Sequence, residues 1–256
     1  MAGTAITDSP ERLGELLALM KGSDTVELKL TIPNSNRRVA ARALGVDPLE
    51  AEIRQVFFFD TPDLALNRAG VVARARRVAK GDDSVVKLRP VVPAELSPAL
   101  RASPNVGVEV DAMPGGFVCS ASCKAKLGVG TVKTVLGAGK SIKKLFTKEQ
   151  RALFKAHAPA EITMDSLAVL GPINVLKLRF VPAGFDRRLV GELWLYPDAS
   201  SVLELSTKCL PAEAFDVAAQ ARAFLHERGV DLQGEQQTKT AKALRFFASE
   251  LEVAAR

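Results

Sequence analysis

Residues 57 to 76 read FFFDTPDLALNRAGVVARAR, and this stretch contains two strand-like segments around a compact turn. The first segment ends at Asp60, and Thr61, Pro62 and Asp63 follow it as turn material. From residue 70 to 77 the sequence GVVARARR alternates in part between small or apolar residues and arginine, the two-residue period of a strand. The stretch therefore predicts two consecutive strands of a β structure.

Strand patterns continue on both sides of that stretch. The segments with strand character are 25–32, 56–60, 70–77, 84–90, 106–112, 175–181, 188–196 and 201–208. Helices of useful length do not fit between the strands from 56 to 90, so an up-and-down arrangement is expected there. The predicted fold class is α+β, an eight-stranded antiparallel β-barrel with flanking helices.

Helical patterns fill the rest of the chain. Leucines at helical spacing after Pro10 predict a short N-terminal helix over 10–21. The segment from about 113 to 165 is expected to be a helical insertion with lysines opposite an apolar face, and 211–256 is expected to form C-terminal helices. We expect one domain over residues 1–256.

Composition excludes several classes of protein. The 256 residues are 47% hydrophobic, which is ordinary for a globular chain, and no apolar run approaches the roughly 20 residues of a membrane span. The acidic N-terminus does not look like a signal peptide, so we expect a cytoplasmic protein with no membrane partner. Three cysteines at no familiar spacing predict reduced, structural thiols. Two histidines exclude a three-histidine zinc site, so any hydrolytic chemistry should use a hard metal and carboxylates.

The net charge of +6 favours a polyanionic partner. One tryptophan and one tyrosine do not favour a platform for stacking nucleic-acid bases, so no specific nucleic acid is expected. The position of the charges therefore matters more than their sum.

Charged residues recur within single predicted strands at even spacing, which places the members of each pair on one face. The pairs are Glu27 and Lys29, Arg74 and Arg76, Lys87 and Arg89, Glu109 and Asp111, Lys177 and Arg179, and Glu204 and Lys208. The ordinary alternative is that these are solvated faces of half-buried strands, but such faces also carry Ser, Thr and Gln. Eight cations and four carboxylates on one kind of face favour a charged interior instead.

A charged interior has a chemical use. A closed barrel of about eight strands can hold one ligand, and eight Lys and Arg groups would match the charge of a triphosphate. The carboxylates would hold Mg²⁺ or Mn²⁺, because hard cations prefer oxygen ligands and bridge to substrate phosphates. The expected partner is therefore a triphosphate or polyphosphate small molecule.

Residues 57 to 76 also resemble the "YFDTPDLxLxxxGxxLRxR" stretch of CYTH proteins, the triphosphate tunnel metalloenzymes. The resemblance extends through VVKLR at 85–89, VLKLRF at 175–180, VLELSTK at 202–208 and QQTKTAKAL at 236–244, and covers about 200 residues. It implies a tunnel that binds a triphosphate with a divalent metal. Such proteins hydrolyse inorganic triphosphate, thiamine triphosphate or nucleoside triphosphates, or cyclise ATP as class IV adenylate cyclases do.

The resemblance also implies residue roles. Glu27 and Lys29 match the end of the family's opening ExExK strand, with Lys29 as the catalytic group that activates or orients the nucleophile. Thr25 and Ser206 stand where the family has carboxylates, which leaves catalysis open. Phosphate contacts are implied for Arg74, Arg76, Lys87, Arg89, Lys177, Arg179 and Lys208, and the metal ligands would be Glu27 and Glu204, with Glu192 as an additional late acid and Glu109 and Asp111 as compensating ligands.

Three functions remain open: a metal-dependent triphosphatase, a non-catalytic polyphosphate or nucleotide sensor, and an ATP cyclase. The segment TVLGAGKS at 134–141 lacks the first glycine of a P-loop, so a nucleotide-hydrolase loop is not predicted. The lysine-rich helix that follows, 140–155, is either a solvated face or a docking surface for an acidic partner or polyphosphate ends. The oligomeric state is open, and a homodimer is one alternative.

Overall fold

Nine strands close into a barrel in the computed structural model, which describes residues 10–230 and 239–254. The strands are β1 (Thr25–Ile32), β2 (Glu52–Asp60), β3 (Val71–Val78), β4 (Asp83–Leu88), β5 (Val106–Met113), β6 (Gly116–Lys126), β7 (Ala168–Phe180), β8 (Leu189–Leu195) and β9 (Ser201–Cys209). All eight predicted strands are present, and β6 is the strand that the sequence did not reveal.

The strand order around the barrel is β1-β5-β6-β4-β3-β2-β7-β8-β9, and β9 pairs with β1 to close the ring. Strand β1 runs parallel to β5, with Thr25 opposite Glu109, and the other neighbours are antiparallel. The prediction of eight antiparallel strands was therefore wrong on the number and on one pairing. The two errors have one cause, because a closed ring with only antiparallel neighbours needs an even number of strands.

Strand β6 lies inside the segment predicted as a helical insertion, so that part of the prediction was wrong. A tight turn with Gly115 at φ +90° joins β5 to β6, and Met113 pairs with Gly116. Residues 119–123 of β6 are buried on both faces, as the small side chains Cys, Ser and Ala alternate. Without large apolar or charged residues in this middle part, the sequence shows little of the strand periodicity.

Helices surround the barrel. They are α1 (Pro10–Lys21), α2 (Arg37–Ala43), α3 (Ala65–Arg68), α4 (Pro98–Ala102), α5 (Thr131–Gly137), α6 (Lys148–His157), α7 (Ala214–Glu227) and α8 (Lys239–Ala254), with 3-10 turns at Asn34–Asn36, Pro48–Glu50, Pro93–Glu95, Ile142–Leu145, Met164–Ser166 and Pro211–Glu213. The predicted helix over 10–21 is confirmed as α1. Part of the predicted C-terminal helical region, 231–238 and 255–256, lies outside the described residues.

Two apolar clusters cover the outer wall of the barrel. One joins α1, α5 and α6 to outward residues such as Phe59 and Val86, and the other joins α2 and α7 to Ile32 and Leu205. The three cysteines are buried and form no disulfide, as predicted. None of the helices in the described ranges combines the length and apolarity that crossing a bilayer requires.

A third apolar cluster lies on the inner face of the wall. Val56 and Phe58 of β2 lie opposite Arg76 and Arg74 in the register and so share the face that carries the charges. They pack with Trp194 and Val202 and with Ala243, Leu244 and Phe247 of α8. The C-terminal helix therefore packs against one end of the barrel interior, and the charged residues line the rest.

Candidate functional site

The strand register places the predicted charge pairs on the inner face of the barrel. Glu27 lies opposite Asp111 on one side and Lys208 on the other, and Lys177 lies opposite Glu192. Asp111 has no exposed surface and Glu204 is 4% exposed, so these are not solvated outer faces. The alternative of a half-buried sheet with a polar outside is therefore wrong for these residues.

The inner face and the start of α8 carry more cations than carboxylates. Among the described residues the cations include Lys29, Arg54, Arg74, Arg76, Lys87, Arg89, Lys124, Lys126, Lys177, Arg179, Lys208 and Lys239, and the carboxylates include Glu27, Glu52, Asp83, Glu109, Asp111, Glu192 and Glu204. The interior thus has an excess of positive charge. Such an excess suits an anionic ligand such as a triphosphate group.

The first of two acidic groups is formed by Glu27, Glu109 and Asp111, which we call the β1–β5 cluster. One carboxylate oxygen from each residue lies within 4.8 Å of the others. The parallel pairing of β1 with β5 produces this approach, because it sets Glu27 beside Asp111. Lys29 Nζ lies 2.7 Å from Asp111 Oδ1 and 3.2 Å from Glu27 Oε2, and Arg89 Nη1 lies 3.1 Å from Asp111 Oδ2.

Charge in the β1–β5 cluster is fixed by its neighbours. Burial alone would raise the pKa of Glu27, but Lys29 and Lys208 lower it to about 2. Burial also opposes ionisation of Asp111, yet Lys29, Lys87 and Arg89 lower its pKa to about 2. Burial would lower the pKa of Lys29, but Glu27 and Asp111 raise it above its ordinary value. Lys29 is therefore held as an ammonium that can donate hydrogen bonds and orient a nucleophile.

The second acidic group is the pair Glu192 and Glu204, which face each other on β8 and β9 and which we call the β8–β9 pair. Lys239 Nζ, at the start of α8, lies 2.7 Å from Glu204 Oε1 and also bonds Glu192. Lys177 Nζ donates to Glu192 at 2.7 Å, and Trp194 Nε1 donates to it at 3.3 Å. Burial raises the pKa of Glu192, but Lys239 and Lys177 together lower it far below its usual range.

Lys239 is a site residue that the sequence reasoning missed. It lies within QQTKTAKAL, the C-terminal stretch that carried part of the family resemblance. Because it begins a helix, the alternation of side chains along strands could not place it on the inner face. Burial lowers its pKa, while Glu204 and Glu192 raise it above the ordinary value. A charged lysine from α8 therefore occupies the space between two carboxylates that the sequence had assigned to metal.

Of the interior cations predicted to bind phosphate, Arg74 and Lys87 are the least neutralised by neighbouring carboxylates. Arg74 Nε is buried and has no hydrogen-bond partner in the described structure, and burial together with Arg76 lowers its pKa to about 10. Lys87 Nζ lies 3.7 Å from Asp111, and burial lowers its pKa to about 8. Both groups are largely charged at neutral pH and have capacity for an anion.

The other predicted phosphate ligands lie on the same face with carboxylate partners. Arg76 Nε lies 2.8 Å from Asp83, and Lys208 contacts Glu109. Arg179 is 46% exposed and lies 3.7 Å from Glu52, which also pairs with Arg54. Sequence reasoning missed Glu52, Arg54, Asp83 and Lys124 because they lie outside the predicted strands: the first three precede the predicted strands 56–60 and 84–90, and Lys124 lies in the segment predicted as a helical insertion.

Thr25 and Ser206, which replace expected carboxylates, hold the remaining ones in place. Thr25 Oγ1 donates to Glu109 Oε2 at 3.2 Å, and Ser206 Oγ donates to Glu27 Oε1 at 3.0 Å. The two hydroxyls thus orient two members of the β1–β5 cluster without adding negative charge.

The β1–β5 cluster fits a divalent cation better than the β8–β9 pair does. It offers three carboxylate oxygen donors close together, which is the donor set of a hard cation. The β8–β9 pair offers only two carboxylates among the described residues, and Lys239 bonds both of them. Glu27, Glu109 and Asp111 are therefore the residues that could hold a metal.

This barrel, with charges lining its interior, is similar in fold to solved structures of other proteins. Among solved structures, a candidate adenylyl cyclase from Hippeastrum, whose structure was reported with a dominant triphosphatase activity, matches with a TM-score of 0.63. It is 16% identical, and the match covers 85% of this chain and 93% of that one. A candidate adenylate cyclase from Bacillus halodurans matches with a TM-score of 0.60 at 12% identity over 86% of this chain and 97% of that one.

At these identities the likeness concerns the fold, and at that level it confirms the resemblance read from residues 57–76. No family model matches the sequence, and no curated protein matches it. The activity therefore has to be argued from the residues of the interior.

Proposed function

We propose that the protein is a divalent-metal-dependent hydrolase of a triphosphate-containing substrate that binds inside the barrel. The observation that carries the proposal is the excess of cations over carboxylates in the interior, next to a cluster of three carboxylates. Clustered cations repel one another, and a polyanion relieves that repulsion. A neutral ligand would leave the excess uncompensated.

The phosphates would bind chiefly to β3 and β4. Arg74 and Arg76 are two residues apart on β3, and Val72 of the same strand lies opposite Lys87 of β4. Guanidinium groups bind two phosphate oxygens at once, and lysine adds a point charge. Arg74, with its unbonded Nε, is the group best placed to gain a new hydrogen bond when the substrate enters.

Glu27, Glu109 and Asp111 would hold Mg²⁺ or Mn²⁺. A cation bound there would polarise the phosphoryl group and neutralise charge in the transition state. Lys29, which is ionised and held between Glu27 and Asp111, would donate a hydrogen bond that orients the attacking water or a phosphate oxygen. Thr25 and Ser206 would keep the carboxylates in position through their hydroxyl bonds.

Hydrolysis is favoured over cyclisation by the solved structure from Hippeastrum, which was reported with a dominant triphosphatase activity. A second candidate function is a sensor that binds polyphosphate or nucleotide without turnover. The observation that favours the sensor is the pair of hydroxyl residues, Thr25 and Ser206, at positions where the resemblance implies carboxylates. Fewer carboxylates mean weaker metal binding.

The test is phosphate release from tripolyphosphate, ATP and thiamine triphosphate with Mg²⁺, Mn²⁺ or EDTA. Arg76→Ala removes an inner cation, and Arg77→Ala is the matched control because Arg77 is the next residue on the same strand and faces outward. We expect metal-dependent turnover that is lost in Arg76→Ala and kept in Arg77→Ala. Tight binding of tripolyphosphate without turnover would favour the sensor, and absence of both binding and turnover would contradict both functions.

A further inference from the structure

The net positive charge of the chain is concentrated in one segment. Residues 131–157, which we call the basic segment, contain seven Lys and Arg residues and one acid, Glu149, so their net charge is +6. The whole chain also has a net charge of +6, and the rest of it is therefore balanced. Acidic residues in other parts of the chain offset the excess of cations inside the barrel. The basic segment, in contrast, lies on the outside of the barrel.

Most cations of the basic segment are turned to solvent and have no carboxylate partner among the described residues. Six of the seven are exposed and form no ion pair within the described parts of the chain: Lys133, Lys140, Lys144, Lys148, Arg151 and Lys155. The seventh, Lys143, pairs with Asp165. Glu149 bonds Ser103 and Asn105 and forms no ion pair with these cations in the described parts of the chain.

Helix α6 presents three of these cations as a stripe. Lys148, Arg151 and Lys155 are spaced by three and four residues, which places them on one helix face. The opposite face is fixed to the barrel, because Leu153 and Phe154 are buried and Gln150 Nε2 donates to the carbonyls of Ser84 and Cys123, each at 3.1 Å. The basic stripe of α6 is thus held in a fixed orientation and needs no ordering to bind a ligand.

The surroundings of the stripe narrow the chemistry of its partner. The aromatic residues of the basic segment, Phe146 and Phe154, are buried, so the surface offers no aromatic anchor for a protein and no platform for nucleic-acid bases. The apolar face of α6 packs on the barrel and is not free to enter a membrane. What remains is a polymer that is recognised by its negative charges alone.

We propose that the basic stripe docks linear inorganic polyphosphate on the outer wall of the barrel. Every unit of this polymer carries a negative charge, and lysine and arginine are the side chains that bind phosphate oxygens. The choice of polyphosphate over nucleic acid rests on the proposed function, because the barrel interior would accept the same phosphoanhydride chemistry. The stripe would hold a long chain near the protein, a role that tripolyphosphate does not require.

The experiment measures binding of fluorescently labelled long-chain polyphosphate to the full chain over a range of salt concentrations. The test variant is K148Q/R151Q/K155Q, and the matched control is R38Q/R42Q/K80Q, which removes three exposed cations outside the basic segment. We expect about tenfold weaker binding in the test variant and a salt slope smaller by roughly 2, because fewer counterions are released. The control should change affinity by less than about twofold.

Equal losses in the two variants would overturn the proposal, because net charge and not the stripe would then control binding. A duplex nucleic acid that competes as well as polyphosphate would overturn the choice of partner. Tripolyphosphate hydrolysis by the unmodified chain is measured in parallel. Stripe-dependent binding without hydrolysis would support the docking surface and contradict the proposed function, and hydrolysis with stripe-independent binding would do the reverse.

Discussion

The two acidic groups of the barrel interior have the same chemistry and different neighbours. The β1–β5 cluster is neutralised by cations of the barrel wall, and two hydroxyl groups orient its carboxylates. The β8–β9 pair is neutralised by Lys177 and by Lys239, the first residue of α8. One group is therefore organised from within the wall, whereas the other depends on a helix that packs against the interior.

This difference separates a ligand site from a structural contact. Buried carboxylates need compensating charge, and either a metal or an ammonium group can supply it. At the β8–β9 pair the ammonium of Lys239 supplies it and at the same time attaches the start of α8 to the barrel. At the β1–β5 cluster the cations are shared with a proposed phosphate site, so their charge is available to both.

The largest effect is expected at the β1–β5 cluster. Asp111→Asn removes one of the three proposed carboxylate ligands and the shared partner of Lys29, Lys87 and Arg89. We expect metal-dependent hydrolysis of tripolyphosphate to fall by about a thousandfold, equivalent to about 4 kcal/mol. Phosphate release at saturating Mg²⁺ measures this loss, and Glu50→Gln, an exposed acid outside the barrel, is the control.

Turnover of Asp111→Asn within about threefold of the unmodified protein would place the metal elsewhere and remove the basis for distinguishing the two acidic groups. Circular dichroism of the variant checks that the barrel is intact, since three cations lose a partner in it.

At the β8–β9 pair the expected effect is on stability and metal stoichiometry. Lys239→Ala leaves Glu204 without its cation and Glu192 with Lys177 alone, and we expect a loss of about 3 kcal/mol in the free energy of unfolding by urea. Lys242→Ala is the control on the same helix, because Lys242 lies over the Tyr196 ring at 4.7 Å, a contact worth about 0.5–1 kcal/mol.

Lys239→Ala should also open a second cation site. With the ammonium gone, Glu192 and Glu204 face each other uncompensated, and we expect the variant to bind one more Mn²⁺ than the unmodified protein in calorimetric titration. An unchanged stoichiometry with unchanged stability would mean that Lys239 does not determine the difference between the two groups.

Sequence reasoning predicted the barrel because apolar and polar residues alternate along its strands. It predicted the charged face because two charged residues at positions i and i+2 of a strand lie on the same side of the sheet. Glu27 and Lys29 show both signals in one strand. It missed β6 because Cys119, Ser120 and Ala121 are small and buried on both faces, so the usual contrast between the faces is absent. The unseen ninth strand then made the β1–β5 parallel pair unpredictable as well.

The alternation of side chains along each strand does not predict that the inner carboxylates form two separate groups. This alternation places Glu27 and Glu204 on the same inner face, but the distance between them depends on which strands are neighbours. Only the parallel pairing brings Glu109 and Asp111 to Glu27, and only the packing of α8 brings Lys239 to Glu204. These contacts join residues far apart in the chain, so no local pattern encodes them.

A smaller effect is expected when a carboxylate is restored beside the β1–β5 cluster. Ser206→Glu replaces a hydroxyl that donates to Glu27 with a like charge. We expect Mn²⁺ affinity to rise by about tenfold, because a further oxygen ligand joins the site, and the metal-free protein to lose about 1 kcal/mol through repulsion. Ser206→Ala serves as control, since it removes the bond to Glu27 and adds no charge, and metal binding to it that equals that of Ser206→Glu would exclude the added ligand as the cause.

The smallest effect expected is on the acid sensitivity of the β8–β9 pair. The pKa of Glu192 is lowered below its ordinary value of 4.5 because Lys239 and Lys177 outweigh burial. In the unfolded chain Glu192 binds a proton more readily, so its contribution to stability is present above about pH 4.5 and is lost as the pH falls through the lowered folded value.

We expect Glu192→Gln to show a smaller fall in the free energy of unfolding between pH 7 and pH 3, by about 1 kcal/mol, because glutamine has no proton to bind. Urea unfolding at a series of pH values measures the difference between the two proteins. Parallel pH profiles would show that Glu192 is not stabilised as a carboxylate by Lys177 and Lys239, and α8 would then have to be held against the barrel by its apolar contacts alone. A shallower profile in the variant would instead identify the acid-labile part of that attachment with one carboxylate.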